Sequence, residues 1–95
     1  MVQGFVYIMA NRKNGAIYVG VTNNLAARIY AHKEGRGSGF CKRYNIKILV
    51  WYETYSMVTD AIQRETTMKH WSRAWKLALI EKDNPNWIDL YESLA

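Results

Sequence analysis

The feature that most constrains this chain is Asn14-Gly15, set between two short runs of strand-forming residues. Residues 4–10 (GFVYIMA) and 16–21 (AIYVGV) are rich in β-branched and aromatic side chains. Asn-Gly tolerates the positive φ of a tight type I′ turn, so an antiparallel hairpin is expected. A two-residue turn there pairs Tyr18 with Asn11 and Gly20 with Met9. Side chains alternate along a strand and cross-strand partners share a face. Phe5, Tyr7, Met9, Tyr18 and Gly20 are then expected on one side of the sheet.

Downstream, Thr22 or Asn23 is placed to cap a helix running to about Lys33, with Gly35 at its end. Residues 35–45 (GRGSGFCKRYN) read as a glycine-rich basic loop, and residues 46–54 (IKILVWYET) as a third strand. A helix is expected from about Val58 to His70, and Ser72 caps another to about Lys82. Asp83-Asn84-Pro85-Asn86 breaks it; Trp87, Leu90, Tyr91 and Leu94 are spaced for a short amphipathic terminal helix. The expected order is β-β-α-β-α-α-α. That order describes an α+β domain, a three-stranded, mostly antiparallel sheet flanked by helices. With 95 residues, one domain over 1–95 is expected.

Hydrophobic residues make up 49% of the chain, which allows a core without disulfides. The single cysteine, Cys41, forms no intrachain bridge and suits a reducing compartment. No apolar run approaches a membrane span, and the N-terminus lacks a signal-peptide plan, so a cytoplasmic protein with no membrane partner is expected. The net charge of +5 is unevenly spread. Through residue 52, eight Lys/Arg stand against Glu34 alone; from Glu53 onward, five Lys/Arg stand against seven acids. The basic half invites a polyanion, because neutralising phosphates releases condensed counterions.

Two helices carry charge where apolar residues belong. Leu25, Arg28, Ile29 and His32 share one stripe of the first helix, so the Arg and His are drawn toward the sheet unless their heads extend from its edge. On the helix from Val58, Glu65 projects from a face made by Val58, Ala61, Ile62 and Met68. Such a carboxylate is paired, protonated or metal-bound, and Lys69 or Arg28 could pair with it. These are the parts that phosphodiester cleavage needs. A carboxylate holds a hard divalent cation, an Arg stabilises developing charge, and a His or Tyr takes the proton from attacking water.

At these residues the chain resembles the GIY-YIG nuclease superfamily. Phe5-Val6-Tyr7 occupies the first motif and Tyr18-Val19-Gly20 the second. Arg28, His32 and Glu65 follow in the family's order, over about residues 4 to 80. The likeness is greatest to small standalone bacterial members. It implies a compact nuclease domain using a single Mg2+ or Mn2+ ion, completed by waters and the substrate phosphate. Glu65 would bind the metal, Arg28 would contact the phosphate, and Tyr7, Tyr18 or His32 would position or deprotonate water. Tyr7 is the commoner base in the family, which requires nearby positive charge to lower its pKa. Two departures stand out. Phe5 replaces a frequent Gly, and the window in which many members carry an Asn holds Leu77, Ala78, Leu79 and Ile80.

In the basic loop, Arg36, Lys42 and Arg43 could track a nucleic-acid backbone while Phe40 or Tyr44 stacks on a base. Trp71, Trp75 and Trp87 are expected in the core. Two histidines and one cysteine make no zinc site. The expected function is a metal-dependent endonuclease, with DNA favoured over RNA. The alternatives are a catalytically silent nucleic-acid-binding module and a domain that takes its specificity from a protein partner.

Overall fold

A computed structural model describes residues 3–94. Strand β1 (Gly4–Ala10) is central and β2 (Ile17–Thr22) pairs with it antiparallel, as the hairpin signal predicts. The register differs by two residues from that of a tight turn: Tyr7 faces Gly20 and Met9 faces Tyr18. The cause lies in the loop. Asn14 has positive φ (59°), but Gly15 does not share it, so no type I′ turn forms. Instead the Ala16 amide donates to the Asn11 side-chain oxygen at 3.0 Å, and the Asn11 amide donates to the Ala16 carbonyl at 3.2 Å. A slip of two keeps side-chain parity, so the expected face assignment survives.

Strand β3 (Ile48–Tyr55) pairs antiparallel with the other edge of β1, giving the sheet order β2-β1-β3. A bulge lets the register pass from Ile8–Trp51 to Met9–Leu49, which sends both Val50 and Trp51 to one face. That face, with Val6, Ile8 and Val19, is covered by α3 (Val58–Lys69) and α4 (Arg73–Asp83) through Ala61, Met68 and Ile80. The opposite face carries Tyr7, Met9 and Leu49. It is covered by α1 (Leu25–Lys33) and α2 (Gly39–Tyr44) through Leu25, Ile29 and Cys41. A strand covered on both sides needs apolar residues at successive positions, which explains the unbroken FVYIMA run in β1.

Helix α1 begins one residue later than expected. Asn24, rather than Thr22 or Asn23, caps it by accepting the Ala27 amide at 3.2 Å, while the Thr22 hydroxyl accepts the Asn24 amide. Gly35 ends it with φ +78°, and the Arg36 amide reaches back to the Ala31 carbonyl at 2.8 Å. This is the Schellman closure that favours glycine.

Two expectations fail. Residues 39–44 are helical rather than loop: Ser38 caps the Cys41 amide, left-handed Asn45 stops the turn, and buried Cys41 anchors it. The C-terminal stretch is not an amphipathic helix; only Tyr91–Leu94 forms a 3-10 turn. Trp87, at φ 55°, inserts into the α3/α4 core, whereas Leu90, Tyr91 and Leu94 cross to the other face. Helical geometry cannot send neighbours to opposite sides of a sheet, so packing overrides the periodicity.

Asn84 and Asp89 hold this crossing in place. The buried Asn84 amide donates to the Val50 carbonyl at 3.0 Å and the Ile88 carbonyl at 2.9 Å, while its oxygen accepts the Ile88 amide. Asp89 accepts the Leu49 and Tyr91 amides and pairs with Lys33. Burial pushes the Asp89 carboxyl up, but these partners outweigh it and hold the group below the ordinary range. No helix among the described residues is long and apolar enough to cross a membrane.

Asn84→Ala should destabilise the protein by about 2–3 kcal/mol in urea unfolding, because it strands the Val50 carbonyl and frees the crossing. A change below roughly 0.5 kcal/mol, the scale of an ordinary surface substitution, would show that the crossing holds without it.

Candidate active site

Tyr7 lies flat on bare backbone. A Cβ at Gly20 would stand 2.4 Å from both Cζ and the hydroxyl of Tyr7, so only glycine admits the ring there. Tyr18, on the same face, brings its ring centroid within 6.4 Å of Tyr7. His32 drops from α1 onto both, at centroid distances of 6.0 and 5.7 Å. It is 3% exposed, and its Nε2 is hydrogen-bonded to the Tyr7 hydroxyl at 3.3 Å. The chain returning through Gly35 seats Gly37 against the ring, and Nδ1 has no partner among the described residues.

The Arg28/His32 pair therefore divides. His32 turns inward, while Arg28, one helical turn earlier, is exposed and makes no ion pair among the described residues. Its charge still acts on the cluster. Burial, then Arg28, pushes the His32 imidazole below its ordinary value and keeps it neutral near pH 7. Burial, then the neighbouring Tyr18, pushes the Tyr7 hydroxyl well above the ordinary tyrosine value. Arg28 pulls it the other way without offsetting this. The lowered tyrosine pKa that the resemblance requires of Tyr7 is not found, because desolvation of a phenolate outweighs one exposed guanidinium.

Glu65 arrives from the opposite side of the sheet. Its helix packs on the face away from Tyr7, but β2 is the edge strand, Glu65 acts electrostatically on Tyr7, and its partner Lys69 lies over the Tyr18 ring. The Lys69 ammonium donates to Oε2 of Glu65 at 2.8 Å and lies 5.9 Å from the Tyr18 ring centre. Of the two partners the sequence allowed, Lys69 takes the carboxylate. Glu65 is the cluster's one carboxylate, and no group of three His, Cys, Asp or Glu side chains gathers among the described residues. This donor set fits a hard divalent ion that keeps most of its waters and draws further oxygens from a phosphate.

Arg36, Lys42 and Arg43 are exposed beside this cluster's covering helices. Arg36 lies over Tyr30 (5.8 Å) and Arg43 over Tyr44 (5.7 Å). Phe40 and Tyr44 are both exposed, with ring centroids 4.8 Å apart. Trp75 corrects the expectation of a core residue: it is 63% exposed, although Trp87 is buried and Trp71 half-buried. A cavity of about 440 Å³, lined by Phe5, Asn24, Tyr52 and Leu94 among others, contains none of the clustered groups.

The model of the GIY-YIG catalytic domain matches residues 3–78. The chain belongs to the GIY-YIG family. A UPF0213 protein of Staphylococcus haemolyticus is 37% identical over 82 residues, covering 86% of this chain and 99% of its own. A second, from Staphylococcus epidermidis, is 33% identical over 78 residues, covering 82% and 94%. The solution NMR structure of a UPF0213 protein from Bacillus halodurans superposes with a TM-score of 0.55 at 27% identity, over 92% of each chain.

As a GIY-YIG domain the chain belongs to a nuclease family, and its departures from the pattern now have places. Phe5 is half-buried beside Tyr52 in the core under α1. Ile80, in the window for the late Asn, is fully buried, and Leu77 and Leu79 pack around it. Asn84 is committed to the backbone of Val50 and Ile88. Sequence reasoning missed the Tyr7–Gly20 contact, since the tight-turn register set Gly20 against Met9. It also missed the seat of Gly37 on His32. The Lys69 contact was visible as Glu-Lys spacing of four on one helix.

Gly20→Ala should leave the protein folded but displace Tyr7 and break its hydrogen bond to His32, moving the His32 ring resonances in NMR spectra. Unchanged resonances would refute the contact. For His32 the unfolded chain binds a proton below about pH 6.5 that the folded chain resists, so stability should fall as pH drops through that value. Urea unfolding at pH 7.5 and 5.5 measures this, and His32→Gln should flatten the dependence.

Proposed function

We propose that the protein is a metal-dependent endonuclease that hydrolyses phosphodiester bonds in nucleic acid, with DNA the favoured substrate. The observation that carries this reading is the approach of Glu65, through its partner Lys69, to the Tyr7–Tyr18–His32 cluster. Exposed Arg28 stands nearby and a basic, aromatic surface adjoins it. Each functional group matches one demand of the reaction.

Glu65 would hold one Mg2+ or Mn2+ ion, which when bound polarises the scissile phosphate. Arg28, free of any carboxylate among the described residues, contacts the phosphate and stabilises charge as it develops. Neutral His32, in the tautomer that carries its proton on Nδ1, would offer Nε2 to the Tyr7 hydroxyl. Tyr7 is too weak an acid to serve as phenolate in advance. It passes its proton to His32 while its oxygen takes one from the attacking water, so no buried phenolate accumulates. Tyr18 orients that water. Arg36, Lys42 and Arg43 hold the backbone on either side, and Phe40 or Tyr44 stacks on a base.

One observation favours a second reading, a catalytically silent nucleic-acid-binding module: the window for the family's late Asn holds only apolar residues, with Ile80 buried in the core. That module would bind with strong salt dependence and cut nothing.

The test is a cleavage screen over single-stranded, duplex, branched and nicked DNA and RNA with Mg2+ and Mn2+. Cleavage should fall at least about a hundredfold in Glu65→Ala and Arg28→Ala, with both variants still folded by circular dichroism. Equal cleavage by the folded variants would overturn the endonuclease reading. Salt-sensitive binding without cutting would establish the silent module.

A further inference from the structure

The Glu65–Lys69 pair has an asymmetry that an ordinary surface ion pair lacks. The Glu65 side chain is only 14% exposed, whereas Lys69 is 49% exposed. An exposed pair four residues apart on a helix contributes little, because water solvates either partner when they separate. Here the acid is largely withdrawn from water, so its charge requires a cation at all times. Arg64, the neighbouring cation on α3, cannot supply it: its Nε donates to Glu53 at 3.2 Å and its guanidinium lies over Trp71.

We propose that Lys69 is a placeholder cation. It occupies the Glu65 carboxylate in the free protein, yields that position to the divalent ion when substrate arrives, and then contacts the substrate phosphate. The inference rests on the nuclease reading and adds a residue to it. A divalent ion on Oε2 of Glu65 and an ammonium 2.8 Å from that oxygen repel strongly, so the two compete for it. Lys69 is the partner able to move, since it has a four-carbon flexible stem and a half-exposed head. Its ammonium already lies 5.9 Å from the Tyr18 ring, and that ring is 5.7 Å from His32. A swing of the side chain alone therefore keeps the charge where a phosphate bound by Glu65's ion and Arg28 must sit. No group of three His, Cys, Asp or Glu side chains gathers among the described residues to strengthen metal binding, and Lys69 competes for Glu65. Metal binding is thereby tied to substrate, whose phosphate draws Lys69 off the acid and supplies ligands to the ion.

The experiment measures Mn2+ binding by isothermal titration calorimetry without nucleic acid, for the wild-type protein, Lys69→Met, Lys69→Arg and Glu65→Gln. Lys69→Met keeps the apolar stem beside Tyr18 and removes the charge. It should bind Mn2+ about tenfold more tightly than wild type, with Lys69→Arg staying weak and the gain lost in the Lys69→Met, Glu65→Gln double variant. In a second arm at saturating Mn2+, Lys69→Met should cleave about a hundredfold more slowly. Unchanged or weaker Mn2+ binding in Lys69→Met would overturn the placeholder role, and an unchanged rate at saturating metal would overturn the phosphate contact. The calorimetric arm needs no cleavage, so it separates this proposal from the nuclease reading. Tighter, Glu65-dependent binding in a protein that cuts nothing would uphold the placeholder and sink only the nuclease.

Discussion

Everything in the site depends on the Tyr7 ring resting on the backbone of Gly20. β1 is the middle strand, so its odd-numbered residues must enter the core beneath α1, and Tyr7 is the largest of them. A tyrosine there would collide with any β-carbon on its partner; glycine removes the collision and lets the hydroxyl lie at the edge strand. From that position the hydroxyl meets His32 on one side of the sheet, and the groups of α3 come within electrostatic reach from the other. The two faces of the sheet are separate cores, and β2 is the place where their chemistry can meet.

Burial sets the protonation of the cluster more strongly than charge does. Desolvation is the largest influence on both Tyr7 and His32, and it favours the neutral form of each. The outcome is a hydrogen-bonded pair of groups each held in its neutral form. Glu65 is a mostly buried carboxylate paired with the half-exposed Lys69. The acid stands on α3 and the guanidinium on α1, and Arg28 makes no ion pair among the described residues.

Most local signals were legible, although the Asn11 side chain closes the hairpin loop in a register two residues from that of a tight turn and Asn24 takes the α1 cap. The caps at Ser72 and the glycine stop at Gly35 lie where expected, as do the hairpin and the face shared by Tyr7, Tyr18 and Gly20. The order Tyr7, Tyr18, Arg28, His32, Glu65 led to the family before any fold was in view. The failures arose where long-range packing outvotes local preference. The segment carrying Gly35, Gly37 and Gly39 hides a short helix that Cys41 anchors from below. The spacing of Trp87, Leu90, Tyr91 and Leu94 imitates a helix, yet the residues divide between two cores. Trp75, large and apolar, stays in solvent because the α4 face that packs inward is the one carrying Leu77 and Ile80.

The sequence by itself determined the three strands, the sheet face shared by Phe5, Tyr7, Met9, Tyr18 and Gly20, and the charge asymmetry. Each of these follows from local periodicity and composition. It could not determine which of Arg28 and His32 would be buried, nor which cation would reach Glu65. Spacing along a helix puts such residues on one face, and only the packing of α1 and α3 on the sheet separates them. The direction of the Tyr7 and His32 shifts was likewise a tertiary outcome. Desolvation depends on the atoms that close over a group, and those come from Gly20, Gly37 and α1, far apart along the chain.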